Sequence, residues 1–383
     1  MKAYDYIIIG GGASGLMLAE AMGSDPWFRS KRIALIEQEK EKTNDRTWCF
    51  WEKGEGRFDP ILFRSWDHVT VGGPGFRRKA HLAPYRYKML RGEDFYREFG
   101  NRIAGCPHID RIYARAETLE ETGNHAVVHT SQGSFRAPMV FSSVLLPPPP
   151  DLMQPHPVLQ QHFKGWFIRS ENPVFDPQAP TFMDFDIAQE GLTRFMYVLP
   201  FSPTEALVEY TLFSEDLLED DAYEAALEAY ISGTLGSTGY DILETEKGSI
   251  PMTINDFTKA NSAHICHIGI AGGWAKPSTG YTFSNTSRNI PRLLDRIKRG
   301  KVPVLRQPGR FRLYDRLLLD ALAHENHLGQ RIFSAQLERL PIPLLLTFLN
   351  EESSLMGDLR IITSCPMGPF LRASWRALFK SPS

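Results

Sequence analysis

The chain has 383 residues, a formal charge of −2 and 23% charged residues. That length leaves room for about two to three domains and a sizeable core, and the near-neutral balance excludes the basic footprint of a nucleic-acid binder. Cys49, Cys106, Cys266 and Cys365 are scattered with no CxxC spacing, which excludes a zinc or redox motif and points to free thiols in a reducing, cytoplasmic compartment.

The chain opens on a βαβ pattern over residues 4–38. Ile7, Ile8 and Ile9 form a β-branched run suited to a buried parallel strand. Gly10, Gly12 and Gly15 follow at GxGxxG spacing, and 13–22 is a good helix former. A second strand over 32–36 ends on Glu37, 22 residues beyond Gly15. Gly10 permits the tight turn, Gly12 lets backbone approach a pyrophosphate, and Gly15 lets helix and strand pack closely. The helix start offers free N–H groups to phosphates, and Glu37 can accept from ribose hydroxyls. The candidate cofactor contacts here are Gly10, Gly12, Ala13, Ser14, Gly15 and Glu37. An N-terminal unit of this kind favours FAD, although the residues alone leave NAD open, and a purely structural glycine turn is the competing reading.

Residues 45–51 read DRTWCFW. Their aromatics suit a core plug, or a loop along a bound flavin with Arg46 facing phosphate or the ring. Short β-like runs over 56–90 belong to a second, antiparallel sheet. Residues 91–104 look helical, with Phe95, Phe99 and Ile103 as a core stripe. Strands are expected over 111–119, 125–130 and 139–146, and the four prolines at 147–150 make a stiff connector.

Four β-like segments follow over 163–170, 181–187, 193–199 and 206–212, the signature of an antiparallel sheet. Glu209 lies among apolar neighbours in the last of them and shares a face with Leu207 and Thr211. On period alone it is either a solvent-facing Glu or a buried functional acid. An amphipathic helix is expected over 217–231; its acidic start suits the helix dipole and is not a metal site. His264 and His267 lack companion ligands, so no metal is expected. An extended segment over 250–254 and an apolar strand over 264–270 lead into a second glycine-rich junction, 269–281, and a helix over 283–299. Gly272, Thr279, Gly280 and Tyr281 are its candidate cofactor contacts. Two such junctions far apart in sequence imply a nucleotide domain built from both ends of a β-rich insertion. Residues 309–378 are expected to be mostly helical. The apolar run 340–349 (LPIPLLLTFL) is too short to span a bilayer and reads as core or as a membrane-surface contact.

The stretches DRTWCFW, YVLPFSPTEALVEYT, IPMT and IGIAGGWAKPSTGYTF, in that order, resemble the bacterial flavin-dependent lycopene cyclases. The resemblance spreads over about residues 4–290. It implies an α/β (α+β) fold similar to the flavoprotein hydroxylases. That fold has a Rossmann-like FAD-binding domain (1–55, 91–150 and 262–300), an inserted antiparallel β-sheet substrate domain (56–90 and 151–261) and a helical C-terminus (301–383). It implies an isomerase that closes the ψ ends of lycopene to β-ionone rings without net redox change, using reduced FAD with NAD(P)H as electron source. The family's catalytic carboxylate falls on Glu209; the next position is Tyr210 rather than a second acid. Phe141-Ser142-Ser143 stands where the family carries an Asp-Gly or similar pair, so Ser142 receives no cofactor role.

The implied chemistry adds a proton at C2 of a terminal alkene, captures the C1 cation with the C5=C6 bond and removes a proton from C6. A buried Glu stays neutral at pH 7 and can donate, with reduced flavin stabilising the cation and Trp48, Trp51 or Trp274 adding to it; the reverse, flavin as proton donor and Glu209 as base or cation stabiliser, stays open. The implied partners are lycopene and related carotenoids, a membrane surface contacted peripherally through 340–349 or the basic stretch 372–380, and other enzymes of carotenoid biosynthesis. An FAD-dependent monooxygenase and a non-catalytic carotenoid-binding protein are the open alternatives.

Overall fold

A computed structural model describes residues 1–144, 158–305 and 308–379. The prolines at 147–150 lie outside the described residues. A five-stranded, all-parallel sheet runs in the order Ile265–His267, Met139–Ser142, Tyr6–Ile9, Ile33–Glu37, Ile109–Tyr113. Side chains alternate across it, as period two demands. Ile8 and Leu35 pack under the helices Ala13–Ser24, Gly92–Ala104 and Phe283–Lys298, whereas Ile7, Ile9, Ala34 and Ile36 face a second sheet built mainly from the meander 116–137. The segment at 265–267 completes the sheet beside 139–142, so strands from both ends of the chain share one core.

A seven-stranded sheet runs Tyr240–Met252, Leu159–Ser170, Glu205–Ser214, Thr193–Pro200, Thr181–Asp184, His68–Gly73, Phe76–His81. It is antiparallel except where Thr181–Asp184 meets His68–Gly73. One face carries the helix Asp220–Ala229 over Val208, Tyr210 and Leu212. The other buries Leu207, Phe195 and Tyr197 in a common core with Trp51, Tyr87 and the C-terminal helices.

A third sheet, Thr47–Lys53, Tyr85–Arg91 and Arg64–Trp66, lies between these bodies. It corrects two expectations. Thr47–Lys53 is a strand rather than a loop along a flavin, because its β-branched and aromatic residues suit a surface buried on both sides, and its Trp48 and Phe50 fill the core. The 56–90 segment divides between two sheets: 68–81 joins the large one, while 85–91 pairs with 47–53 on one side and with 64–66 on the other. Tyr240–Met252 is longer than the 250–254 segment expected, and 264–270 shrinks to Ile265–His267 before the glycine turns begin. The helices Gly309–Glu325, Gly329–Arg339, Ile342–Leu349, Leu355–Ser364 and Met367–Phe379 close the chain. Leu340, Ile342, Leu345 and Leu346 are buried, so the 340–349 run is interior.

Candidate active site

The first glycine turn has the features its spacing predicts. Gly10 has φ +95°, a region that favours glycine. A Cβ on Gly15 would lie 1.8 Å from the Gly10 carbonyl oxygen, so helix and strand approach too closely for any side chain. A Cβ on Gly12 would meet nothing within 4 Å, and no side chain caps the helix that starts at Ala13. Backbone N–H groups therefore face open space, the requirement for a bound phosphate. Glu37 Oε2 accepts from Gly11 N at 2.5 Å and pairs with Lys42 at 3.1 Å, which keeps the acid at the strand end beside the turn. Ser14 turns the other way and hydrogen-bonds Thr286 at 3.2 Å. Arg46 is exposed and paired with its neighbour Asp45 at 3.4 Å, away from this turn's hydrogen bonds. Ser142 and Ser143 serve backbone: their hydroxyls donate to the carbonyls of Val144 and Ile9, both at 2.9 Å.

The second junction abuts the first. A Cβ on Gly269 would sit 2.2 Å from Ser14 Oγ, and one on Gly280 would sit 2.8 Å from Gln161 Oε1 of the large sheet. The loop thus touches both the glycine turn and the sheet that carries Glu209. Buried Lys276 fixes it from the far side, donating to Asp315 at 3.0 and 3.1 Å and to Glu351 at 3.3 Å. Tyr281 emerges into the space between the sheets, where its hydroxyl lies 3.1 Å from that of Tyr197 and its ring packs edge-on against Trp51 at 4.8 Å.

Period two divides the aromatic strand by role. Trp48 and Phe50 stack on Phe283 in the helical core, at 5.3 and 5.1 Å. Thr47, Cys49 and Trp51 point to the opposite side, toward the large sheet. Trp51 is therefore the tryptophan of this motif that walls the site; Trp48 and Trp274 belong to the core under the helices. The Cys49 thiol hydrogen-bonds Tyr87, and burial pushes its pKa far above the usual thiol range.

The site's chemistry is a pair of carboxyls that meet across a glycine. Gly165 stands opposite Glu209 on one neighbouring strand and opposite Glu246 on the other. A Cβ at 165 would be 3.2 Å from Glu246 Cγ and 3.5 Å from Glu209 Cβ, so its absence lets the two side chains reach each other. The two carboxyls lie within hydrogen-bonding reach of each other, and each is desolvated by burial. Thr211 donates to Glu209 at 2.7 Å and Thr47 to Glu246 at 2.8 Å. Cys49, Tyr197 and Tyr281 lie within electrostatic reach of Glu209. Desolvation raises Glu209 to about 7; desolvation and the neighbouring Glu209 charge raise Glu246 to about 8. Near neutral pH the pair holds about one proton between two carboxyls, and its titration belongs to the pair. Glu209 keeps partial exposure while Leu207, Thr211 and Tyr197 around it are buried. It is an acid that an apolar ligand can touch in a water-poor space.

This arrangement costs stability in a pH-dependent way. Both carboxyls hold protons in the folded state more tightly than their ordinary value of 4.5. Between that value and about 8 the folded protein binds more protons than the unfolded chain, so stability falls as pH rises. Calorimetry of the Glu209→Gln protein should give a higher melting temperature than the parent at about pH 8.5, with the gap closing toward about pH 5. A gap independent of pH would show that the carboxyls are not held protonated.

The geometry brings together Gly10, Gly12, Ala13, Gly15 and Glu37 at one turn, and Gly272, Thr279, Gly280 and Tyr281 in the loop between that turn and Glu209. Sequence reasoning missed Glu246, Gly165, Thr47 and Tyr197. Glu246 lies in the run Glu244-Thr245-Glu246-Lys247-Gly248 just before the IPMT segment, whose charges carry no local sign of a buried acid.

A model of the family described as "Lycopene cyclase protein" matches residues 5–375. The lycopene beta-cyclase of Pseudescherichia vulneris is 24% identical over 97% of this chain and 96% of its own. That of Paracoccus sp. (strain N81106 / MBIC 01143) is 29% identical over 55% of this chain and 57% of its own. Among solved structures, a geranylgeranyl bacteriochlorophyll reductase-like protein from Thermoplasma acidophilum superposes with a TM-score of 0.61 at 14% identity, over 98% of this chain and 99% of that one. A flavoprotein/dehydrogenase from Cytophaga hutchinsonii gives 0.60 at 11% identity, over 99% and 100%. These structures share the fold.

Proposed function

Because the chain belongs to the lycopene cyclase family, we propose that it is a lycopene beta-cyclase. It closes the ψ ends of lycopene to β-ionone rings, giving γ-carotene and then β-carotene. The observation that carries this reading is the Glu209–Glu246 pair, two desolvated carboxyls that meet across Gly165 beside the rings of Tyr197 and Tyr281. The reaction needs both an acid and a base and no net redox change, and the pair supplies both.

Glu246 returns its proton to Glu209 through their hydrogen bond, and Glu209, the more exposed of the two, delivers it to C2 of the terminal alkene. The C5=C6 bond then captures the C1 cation and closes the ring. The pair, now fully ionised, takes the proton released from C6 and is back at its starting inventory. A carboxylic acid is too weak to protonate an isolated alkene unaided, so the cation must be stabilised as it forms. The faces of Trp51, Tyr281, Tyr197 and Phe182 contribute roughly 0.5–2 kcal/mol each. The ionised pair adds electrostatic attraction in a site where water cannot screen it.

FAD fits the glycine turn: Gly10–Gly15 would hold its pyrophosphate over the open Gly12, Glu37 its ribose, and the loop with Gly272, Thr279 and Gly280 its ring. In reduced form the flavin would supply negative electrostatic potential to the site. NAD(P)H is the proposed reductant. The nucleotide-holding parts are 1–55, 91–150 and 262–300, the substrate-holding parts 56–90 and 151–261. The proposed setting is the cytoplasmic face of a membrane, the source of a water-insoluble substrate and of contact with other enzymes of carotenoid biosynthesis. Among the described residues no helix is long and apolar enough to cross that membrane.

Reductant stoichiometry tests the reading. With FAD reduced under anaerobic conditions, lycopene should be cyclised over many turnovers with no further NAD(P)H consumed. No anaerobic turnover, with product formed only in air at one NAD(P)H and one O₂ each, would instead mark a monooxygenase on the same fold.

A further inference from the structure

We propose that the C-terminal helices form a binding channel for a long linear polyene hydrocarbon. The channel leads from an exposed apolar face of the last two helices to the cage around Glu209. The ligand's identity rests on the cyclase reading; the channel rests on packing alone.

A cavity of about 220 Å³ lies among the helices from Gly309 to Phe379, above Phe182, Met183 and Ser278. Leu318, Leu337, Leu345, Phe348 and Ile361 give it apolar walls. Most of its polar neighbours are already engaged. Asp315 binds Lys276, Gln336 donates to Cys365 at 3.0 Å, and Ser374 donates within its own helix to Phe370 at 2.8 Å. A polar ligand would find little to bind, whereas a hydrocarbon loses nothing on entering.

Phe182 stands at the inner end. Phe182 lines the cavity and also packs edge-on against Tyr87, Tyr197 and Trp51, at 5.3, 6.0 and 6.2 Å. Tyr197 is within electrostatic reach of Glu209, so Phe182 stands between the cavity and the carboxyl pair. Ser278 and Thr279 continue the same wall into the loop that carries Tyr281.

The outer end is the mouth. Met367 and Leu371 line the cavity and are also exposed, Leu371 by 63%. Around them, Leu355, Met356, Leu359, Trp375 and Leu378 are exposed on the same two helices. These two helices carry seven of the sixteen exposed large apolar side chains among the described residues. So dense a patch marks contact with an apolar phase, and Trp375 is a residue type that favours membrane interfaces. The interior position of 340–349 makes that run a channel wall and leaves the 355–379 helices as the bilayer contact. A substrate partitioned in the bilayer would pass directly from acyl chains into the channel, with its reactive end leading.

The test narrows the channel from two helices and reads binding separately from turnover. Ser374→Phe and Ile362→Trp each place a ring in the lumen and break no hydrogen bond outside their own helix. FAD content and melting temperature confirm folding. Lycopene in phosphatidylcholine vesicles is the ligand, and binding is followed by the shift of its absorption on transfer to protein. Both variants should weaken binding and lower kcat/KM by about tenfold or more, the size of effect that steric mismatch in an apolar pocket produces. Glu209→Gln should bind like the parent. Parent-like binding by both ring variants would overturn the channel, even with cyclisation intact. Channel-dependent binding by a parent protein that never cyclises would leave the channel standing and remove the cyclase reading instead.

Discussion

Glu209→Gln is expected to keep its flavin and its lycopene and to lose cyclisation by about 10²–10⁴-fold, the range carried by a positioned general acid. The substitution is nearly isosteric and keeps an acceptor for Thr211, which now donates at 2.7 Å. It lies on a different sheet from the glycine turn that would hold FAD. Folding and cofactor binding should therefore survive, and the loss should fall on kcat rather than KM. Flavin absorbance, lycopene binding and product formation on one preparation check all three. Turnover within tenfold of the parent would remove Glu209 from the proton path.

The second large effect is at Glu246, and its signature is in the pH profile. The groups facing the pair are Thr211, Tyr197, Thr47, Cys49 and Tyr281, with Glu244 adding negative potential at Glu246. Tyr197, Tyr281, Tyr87 and Cys49 are raised by burial and stay neutral across the working range, so the two carboxyls set the profile. Activity requires one proton on the pair. It should rise as the first proton leaves near the value of about 7 and fall as the last one leaves near about 8. The Glu246→Gln protein loses the partner that retains the last proton. Its alkaline limb should move to lower pH, and its kcat should fall by about a hundredfold for want of the second carboxyl. An unchanged alkaline limb would mean that Glu246 does not share the proton. Gly165→Ala offers the same test by geometry, since its Cβ would enter the gap between the two carboxyls.

The two halves of the site were legible to different degrees, for a physical reason. The glycine turn is local. Gly10, Gly12, Gly15 and Glu37 lie within one βαβ unit, and each glycine's role follows from backbone geometry that spacing encodes. The carboxyl pair is not local. Glu209 could be singled out by its apolar neighbours and by family resemblance, but its burial depends on which strands lie beside it. Glu246 becomes its partner only because both register against Gly165 of the strand between them. Nothing within residues 240–249 records that pairing; most of that strand is exposed, and Glu246 is buried only where Thr47 and Glu209 cover it. The DRTWCFW strand shows the same limit. Composition identified an important stretch, while only the third sheet's position shows that Thr47, Cys49 and Trp51 face the chemistry and Trp48 and Phe50 do not. Arg46, singled out for its charge, is a surface residue paired with Asp45.

The central claim is that this chain adds one proton and removes another, with no oxygen and no net reduction. Anaerobic turnover of lycopene in D₂O with pre-reduced FAD, followed by mass and NMR analysis of the carotenoid, tests it most directly. The expected product has β-rings that each carry one deuterium at C2 and the composition of lycopene otherwise. Rings formed without label, or a product that gains oxygen or two hydrogens, would contradict it.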